Sequence, residues 1–303
     1  MDHSIAKRLS ARLANAFVLD LVKVGGHGRD IAAPLIRAAV LHAGVAWMMR
    51  DPALQRQYAT FAADVPDELR RPTAVSAIAQ SISVPFETVR RQFAAMLEEG
   101  ACRRSGRGLI VPAAVTSSPM FERGLNLQFQ ALTRLHADLR SLGLVETAPP
   151  PPGAWPEPPV RLAGRFVIEF VLRFREQLAR QVPDPVSSVM LMEIVAINTE
   201  GLSAREHGGI SLGGFVPDHH RTPAATSALA QRLGIANETA RRHGLGLEAA
   251  GFCKRVDGGL IVPSSVLESV PVQEFVESSH RNLQRLFSQL AAFGVHQVFD
   301  VAA

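Results

Sequence analysis

One stretch of this chain recurs 151 residues further on, and that repeat limits the available folds more than any other feature. Residues 72–115 align without a gap to 223–266, with 19 of the 44 paired positions identical. The matches come in runs. Ser76-Ala77-Ile78-Ala79-Gln80 answers to Ser227-Ala228-Leu229-Ala230-Gln231, and Glu87-Thr88-Val89-Arg90-Arg91 to Glu238-Thr239-Ala240-Arg241-Arg242. Gly108-Leu109-Ile110-Val111-Pro112 answers to Gly259-Leu260-Ile261-Val262-Pro263. A register unbroken across helix, turn and hairpin signals points to duplication of a folded unit. Two copies are too few for a solenoid, so the expectation is two related domains in one chain.

The periodicity around the repeat is helical. Ile5, Leu9, Leu13, Phe17 and Leu21 form one apolar stripe, and a second apolar stretch covers 31–49. Asp51-Pro52 marks a new helix start. Leu125, Leu132, Leu135, Leu139 and Leu142 mark another helix, and 162–182, 186–198 and 272–293 repeat the plan. Pro149-Pro150-Pro151-Pro152-Gly153 reads as a semi-rigid extended linker within 147–159. The expected units are therefore 1–146 and 160–303, with the repeated blocks at 65–115 and 217–266.

Within the first block, 73–82 reads as a short helix and Ser83-Val84-Pro85 as a tight corner. A second helix follows, with Val89, Phe93, Met96 and Leu97 turned inward. Phe86, Glu87, Arg90 and Arg91 fall on its outer face. Gly100 ends it in the left-handed conformation. Two strands, 101–104 and 109–111, flank Ser105-Gly106-Arg107-Gly108. A two-helix corner followed by a basic hairpin is a winged helix-turn-helix. The expected fold class is mainly α with small β wings: two tandem winged domains with flanking helices, paired as a pseudo-dimer.

The sequence Val84-Pro85-Phe86-Glu87-Thr88-Val89-Arg90-Arg91, with Leu97-Glu98-Glu99-Gly100 and the Gly106–Val111 wing, resembles bacterial winged-helix transcription regulators. It is most similar to the DNA-binding domains of the cyclic-AMP receptor protein/Fnr superfamily, with a wing like those of GntR-type regulators. The resemblance covers about 45 residues, twice, and implies a fold that reads duplex DNA. It implies base reading by Glu87 and Arg91, and by Glu238 and Arg242, with Thr88 and Thr239 on phosphates. Phe86 and Asn237 depart from the arginine common in that family, so no operator sequence carries over. Nothing in the chain looks like that family's cyclic-nucleotide-binding barrel.

Side-chain chemistry agrees with that implication. An arginine fork matches guanine O6 and N7, and a carboxylate accepts from cytosine N4. Arg103, Arg104 and Arg107 in one hairpin, and Lys254 and Arg255 in the other, suit backbone phosphates. The predicted DNA-contacting set is completed by Phe86, Arg90, Asn237 and Arg241. Residues 67–107 hold seven arginines against five acids, and 221–257 six basic residues against three acidic. The whole chain is mildly basic at +4, with an isoelectric point near 9.7. Those values fit specific, salt-sensitive binding and not a general grip on nucleic acid. The second block carries Gly244 and Gly246 inside its reading helix, each costing roughly 1 kcal/mol against alanine. Gly244 replaces core Phe93 and Glu248 replaces core Leu97, so that helix is expected to be shorter or packed differently, and to read more weakly.

Other features point to no second chemistry. With 47% apolar and 20% charged residues the chain reads as globular. No secretory signal is apparent, and the apolar run 166–174 is interrupted by Glu169 and Arg173, so a soluble, nucleoid-associated cytoplasmic protein without membrane contact is expected. Cys102 and Cys253 hold equivalent places and read as small buried hydrophobes on the first wing strand, not as a disulfide. Asp218-His219-His220, with Glu206 and His207, is the best metal candidate, although an exposed loop accounts for it and no counterpart is evident in the first half. His27 in Gly26-His27-Gly28 reads as turn chemistry. Ser4-Ile5-Ala6-Lys7 matches the short Ser-x-x-Lys pattern of serine acyltransferases without its companion motifs. No P-loop, Rossmann fingerprint or catalytic acid pair is present, so no enzyme, metal or cofactor is expected. The expected partner is double-stranded DNA, with a homodimer and an unidentified small-molecule effector left open. The alternatives are a winged-helix scaffold for protein partners and a regulator holding its effector between the flanking helices.

Overall fold

The structure is a computed structural model, and it describes residues 3–25, 31–145, 155–202 and 215–301. It is mainly helical, with two small antiparallel two-stranded sheets. In the first half α1 (His3–Gly25) and α2 (Ala32–Val45) precede a 3-10 segment (Ala46–Arg50) and α3 (Pro52–Gln57). Asp51 caps α3 by accepting from Ala53 N and Leu54 N at 2.9 and 3.1 Å, with Pro52 in the first turn. Then come α4 (Val75–Ile82), α5 (Phe86–Glu98), β1 (Arg103–Ser105), β2 (Gly108–Ile110), α6 (Ala113–Thr116) and α7 (Pro119–Ser141).

The second half holds α8 (Val160–Ala179), α9 (Pro185–Asn198), α10 (Thr226–Leu233), α11 (Asn237–Ala249), β3 (Lys254–Val256) and β4 (Gly259–Ile261). It closes with α12 (Ser264–Leu267), α13 (Val270–Ala292) and α14 (His296–Val301). From α4 to α7 and from α10 to α13, every element boundary is offset by the same 151 residues. The proline run 149–153 lies outside the described residues.

Two compact units form, and they are not the two sequence halves. One comprises Met1–Ala32 with Gln177–Leu283, the other Ala33–Glu176 with Gln284–Ala303. Periodicity identified the apolar stripe of α1 but could not say what buries it. The answer is the second half: Arg12 donates to the carbonyls of Thr199 and Leu202, Asn15 to that of Met192, and Ser10 bonds His280 at 3.0 Å. Lys7 also pairs with Glu277. In the other unit the C-terminal segment does the reciprocal. Phe299, on a terminal helix that the periodicity did not reveal, packs its ring 5.4 Å from Phe129 and 5.1 Å from His136.

The second unit also buries arginines along α8. Arg165 donates to the carbonyls of Tyr58 and Gln55 at 2.8 and 3.0 Å, and burial lowers its pKa to about 10. Arg161 lies 4.5 Å over the Phe61 ring and 3.2 Å from Asp64. Among the described residues one helical stretch, Ala32–Arg50, is long and apolar enough to cross a bilayer, at mean hydropathy 1.4. It is the apolar helical stretch expected at 31–49, whose length and hydropathy match those of a membrane span. Ile36 and Met48 on it are fully buried, Met48 against Val45, Tyr58 and Val65.

Local boundaries shift from expectation in instructive ways. Thr73 and Ala74 are not helical, because Thr73 exchanges both backbone hydrogen bonds with Leu109 and so extends the sheet by one bridge. Ala224 does the same with Leu260. Strand β1 begins at Arg103, so Cys102 precedes it, with its N–H on the carbonyl of Met96. α11 has the same 13 residues as α5, so its glycines do not shorten it.

Candidate nucleic-acid interface

In each block two helices meet at a three-residue corner, and its first residue must turn left-handed. Ser83 does so at φ 52° and Gly234 at φ 64°. Val84 N then bonds the carbonyl of Ala79, and Ile235 N that of Ala230, fixing the start of the following helix. Ile78, Ile82, Val84, Val89, Phe93 and Met96 close the first corner. Leu97, expected in that core, is only half-buried, and Gln92 is buried on the inward side. In the second block the space opposite Gly244 is filled differently: a Cβ added there would meet Leu260 Cδ1 at 3.2 Å and Met190 Cε at 3.9 Å. His243, bonded to Ser187 at 2.9 Å and 3.1 Å from Asp184, ties α11 to α9.

The outer faces carry the predicted residues. Phe86, Glu87, Arg90 and Arg91 are exposed on α5, and Asn237, Glu238, Arg241 and Arg242 on α11. Thr88 and Thr239 are half-buried beside them. The two arginines of each pair do different things. Arg90 grips Glu87 with two bonds, 2.6 and 2.8 Å, and Arg241 grips Glu238 with two of 2.8 Å. Those bonds hold both carboxyls below their ordinary range and raise the arginines above theirs. Arg91 and Arg242 make no hydrogen bond or ion pair among the described residues. Sequence alone could not separate the members of each pair.

The hairpins divide in the same way. Registers match, with Arg103 opposite Ile110 and Lys254 opposite Ile261. Neither Gly108 nor Gly259 has room for a side chain: a Cβ would lie 2.7 Å from Thr73 O and 2.3 Å from Ala224 O. Arg103 is engaged by Asp67 at 3.0 Å, and Lys254 by Asp218 at 2.7 Å. Arg255 pairs with Glu248 at 3.2 Å, which gives that departure from Leu97 a role. Arg104 and Arg107 stay exposed with no partner among the described residues. In the second block Asn237, Glu238, Arg241 and Arg255 come together with Thr226, Ser227 and Leu245 around one open concavity of about 490 Å³.

The aspartates anchoring the wings were missed as a pair. Asp67 accepts from Ala113 N at 2.6 Å with one oxygen and from Arg103 with the other. Asp218 accepts from Ser264 N at 2.7 Å and from Lys254 in the same way. Buried Arg70 and Arg221 stand behind them, donating to the carbonyls of Val65 and Val216. The shared signal is Val-Pro-Asp-x-x-Arg, at 65–70 and 216–221, directly before the aligned stretch. Asp218 therefore has a counterpart, and its role is a wing clamp. Glu206 and His207 lie outside the described residues, as does His27, and no metal-binding group of three His, Cys, Asp or Glu forms among those described. The bond from Ala113 N leads in lowering the Asp67 pKa; at Asp218, burial opposes but the bonds from Lys254 and Ser264 prevail. Both cysteines are buried and unbridged, with burial pushing Cys102 to about 11 and Cys253 to about 12, far from thiolate reactivity.

No protein-family model, curated protein or solved structure matches the chain.

Proposed function

We propose that this chain is a sequence-specific regulator of transcription that reads double-stranded DNA through two winged helix-turn-helix units, 65–115 and 217–266. The observation carrying the proposal is the same trio on both exposed helix faces. A carboxylate is oriented by the arginine three residues on, and the next arginine is left unengaged.

In a major groove the unengaged Arg91 and Arg242 offer planar forks for guanine O6 and N7. Glu87 and Glu238, held in place before contact, accept from cytosine N4. Arg104 and Arg107 supply phosphate contacts in the first block, whereas the second relies on Arg255 and its concavity. The likeness of 84–91 to bacterial winged-helix regulators supports the same reading. Different helix tips, Phe86 and Asn237, call for unequal half-sites.

The test is selection from a random duplex pool at low salt, with wild type, Arg91→Ala, Arg242→Ala and the double variant. Each single change relaxes the recovered motif at one half-site and weakens binding about tenfold, the 1–3 kcal/mol of one bidentate contact. No enrichment by wild type would end the DNA-reading proposal. Loss with Arg91→Ala alone would assign the second unit to another task.

A further inference from the structure

The two clamp arginines have different surroundings. In the first block Arg70 Nη2 donates to Asp64 at 2.9 Å and to Thr116 at 2.8 Å, so its charge is met by a carboxylate from its own chain. The positions 151 residues later are Phe215 and Leu267. Arg221, 6% exposed, thus loses both partners, and its Nη1 has no hydrogen-bond partner among the described residues. Asp218 stands 3.7 Å from its Nε and already serves Lys254 and Ser264.

Phe215 and Leu267 instead line, together with Arg221, a cavity of about 130 Å³. Phe215, Leu267, Met192, Val195 and Phe275 line its apolar body, and its cations are Arg221, Arg12 and Arg8, the last 5.6 Å over the Phe215 ring. No acidic residue is among its described lining residues. Burial lowers the pKa of Arg12 and Arg221, and at Arg221 the charge of Asp218 opposes it in part. We infer that this cavity binds a small organic carboxylate, its apolar body among the aliphatic and aromatic side chains and its carboxylate on Arg221, in the place that Asp64 takes in the other block. A cavity near 150 Å³ accommodates benzene, so an apolar body of about six carbons is the upper limit here.

The site needs nothing from the DNA-reading proposal. On that proposal, however, the carboxylate becomes an effector, because Arg221 backs the aspartate that holds wing residue Lys254.

The experiment is calorimetric titration of the full chain with benzoate, and with benzamide as the uncharged probe, in the absence of DNA. Benzoate saturates one site per chain, and benzamide binds at least tenfold more weakly. Phe215→Asp supplies the internal carboxylate and weakens benzoate at least tenfold, as does Arg221→Gln. Ala11→Phe fills the cavity from α1 and abolishes binding, which keeps the test intact if Arg221→Gln fails to fold. Absence of saturable benzoate binding at millimolar concentration overturns the inference. So does equal affinity for benzamide, or benzoate binding indifferent to both Phe215→Asp and Ala11→Phe. A failed duplex selection leaves these outcomes unaffected, so the two proposals fail separately.

Discussion

Compared position by position, the first block keeps its wing clamp and its helix-face ion pair in the second and exchanges much of what surrounds them, Asp64 and Thr116 included. The wing aspartate's bond to the backbone and the carboxylate–arginine pair on the outer helix recur with matching atoms. A buried arginine again stands behind the aspartate, donating to the valine carbonyl through Nη2 instead of Nε. Phe93 against Gly244, Leu97 against Glu248 and Ser83 against Gly234 do not recur. Geometry explains the asymmetry. A hydrogen bond tolerates only a few tenths of an ångström, whereas a core accepts other side chains of suitable volume. At Gly244 the filling comes from Leu260 and Met190, which is why a glycine there leaves α11 intact.

The largest expected break in the comparison is at Asn198, fully buried and without a matching amide in the first block. It donates to the carbonyls of Thr222 and Leu260 and accepts from Val262 N at 2.9 Å. Asn198→Ala should cost about 3 kcal/mol by stranding those groups, seen as a lower urea midpoint.

Next come the clamps. Asp67→Asn and Asp218→Asn should each cost about 1.5 kcal/mol, since each weakens a charge-assisted bond to the wing. Both carboxyls are depressed in the folded state, so their contribution is fully present above the unfolded pKa, about 3.9. It is lost as pH falls through the lower folded value. Melting temperatures across pH 2–6 should fall at the acid end for wild type and less steeply for the double variant. An unchanged slope would remove the clamps from the stability argument.

The corners predict effects of opposite sign. Ser83→Gly relieves a left-handed serine and should stabilise by about 1 kcal/mol, while Gly234→Ser should destabilise by about as much. Equal signs in thermal melts would show that the corners are not equivalent. The smallest effect is at exposed Gly246, where an added Cβ meets nothing within 4 Å. Gly246→Ala should raise stability by just under about 1 kcal/mol, with hydrogen exchange slowed along α11.

Much of this was legible in the sequence. The 151-residue register located both corners and both hairpins, and helical periodicity put Val89, Phe93 and Met96 inside and Arg90 and Arg91 outside. Period alone could not tell which arginine is engaged, because that depends on a contact three residues back. The clamp escaped for a different reason. Its aspartate sits in a 3-10 turn with no helical or strand periodicity, just outside the aligned stretch, and its partners lie 36 and 46 residues away. The placement of α1 with the second half was likewise invisible, since an apolar stripe announces burial without naming the surface that provides it.

The clamp has a further consequence for how the wing moves. One carboxylate joins Arg103, at the start of the hairpin, to Ala113, just beyond its end, so the strands cannot fray from their open side one at a time. Amide protons from Arg103 to Ile110 should therefore exchange with solvent as a single cooperative group, opening only when Asp67 lets go of both ends.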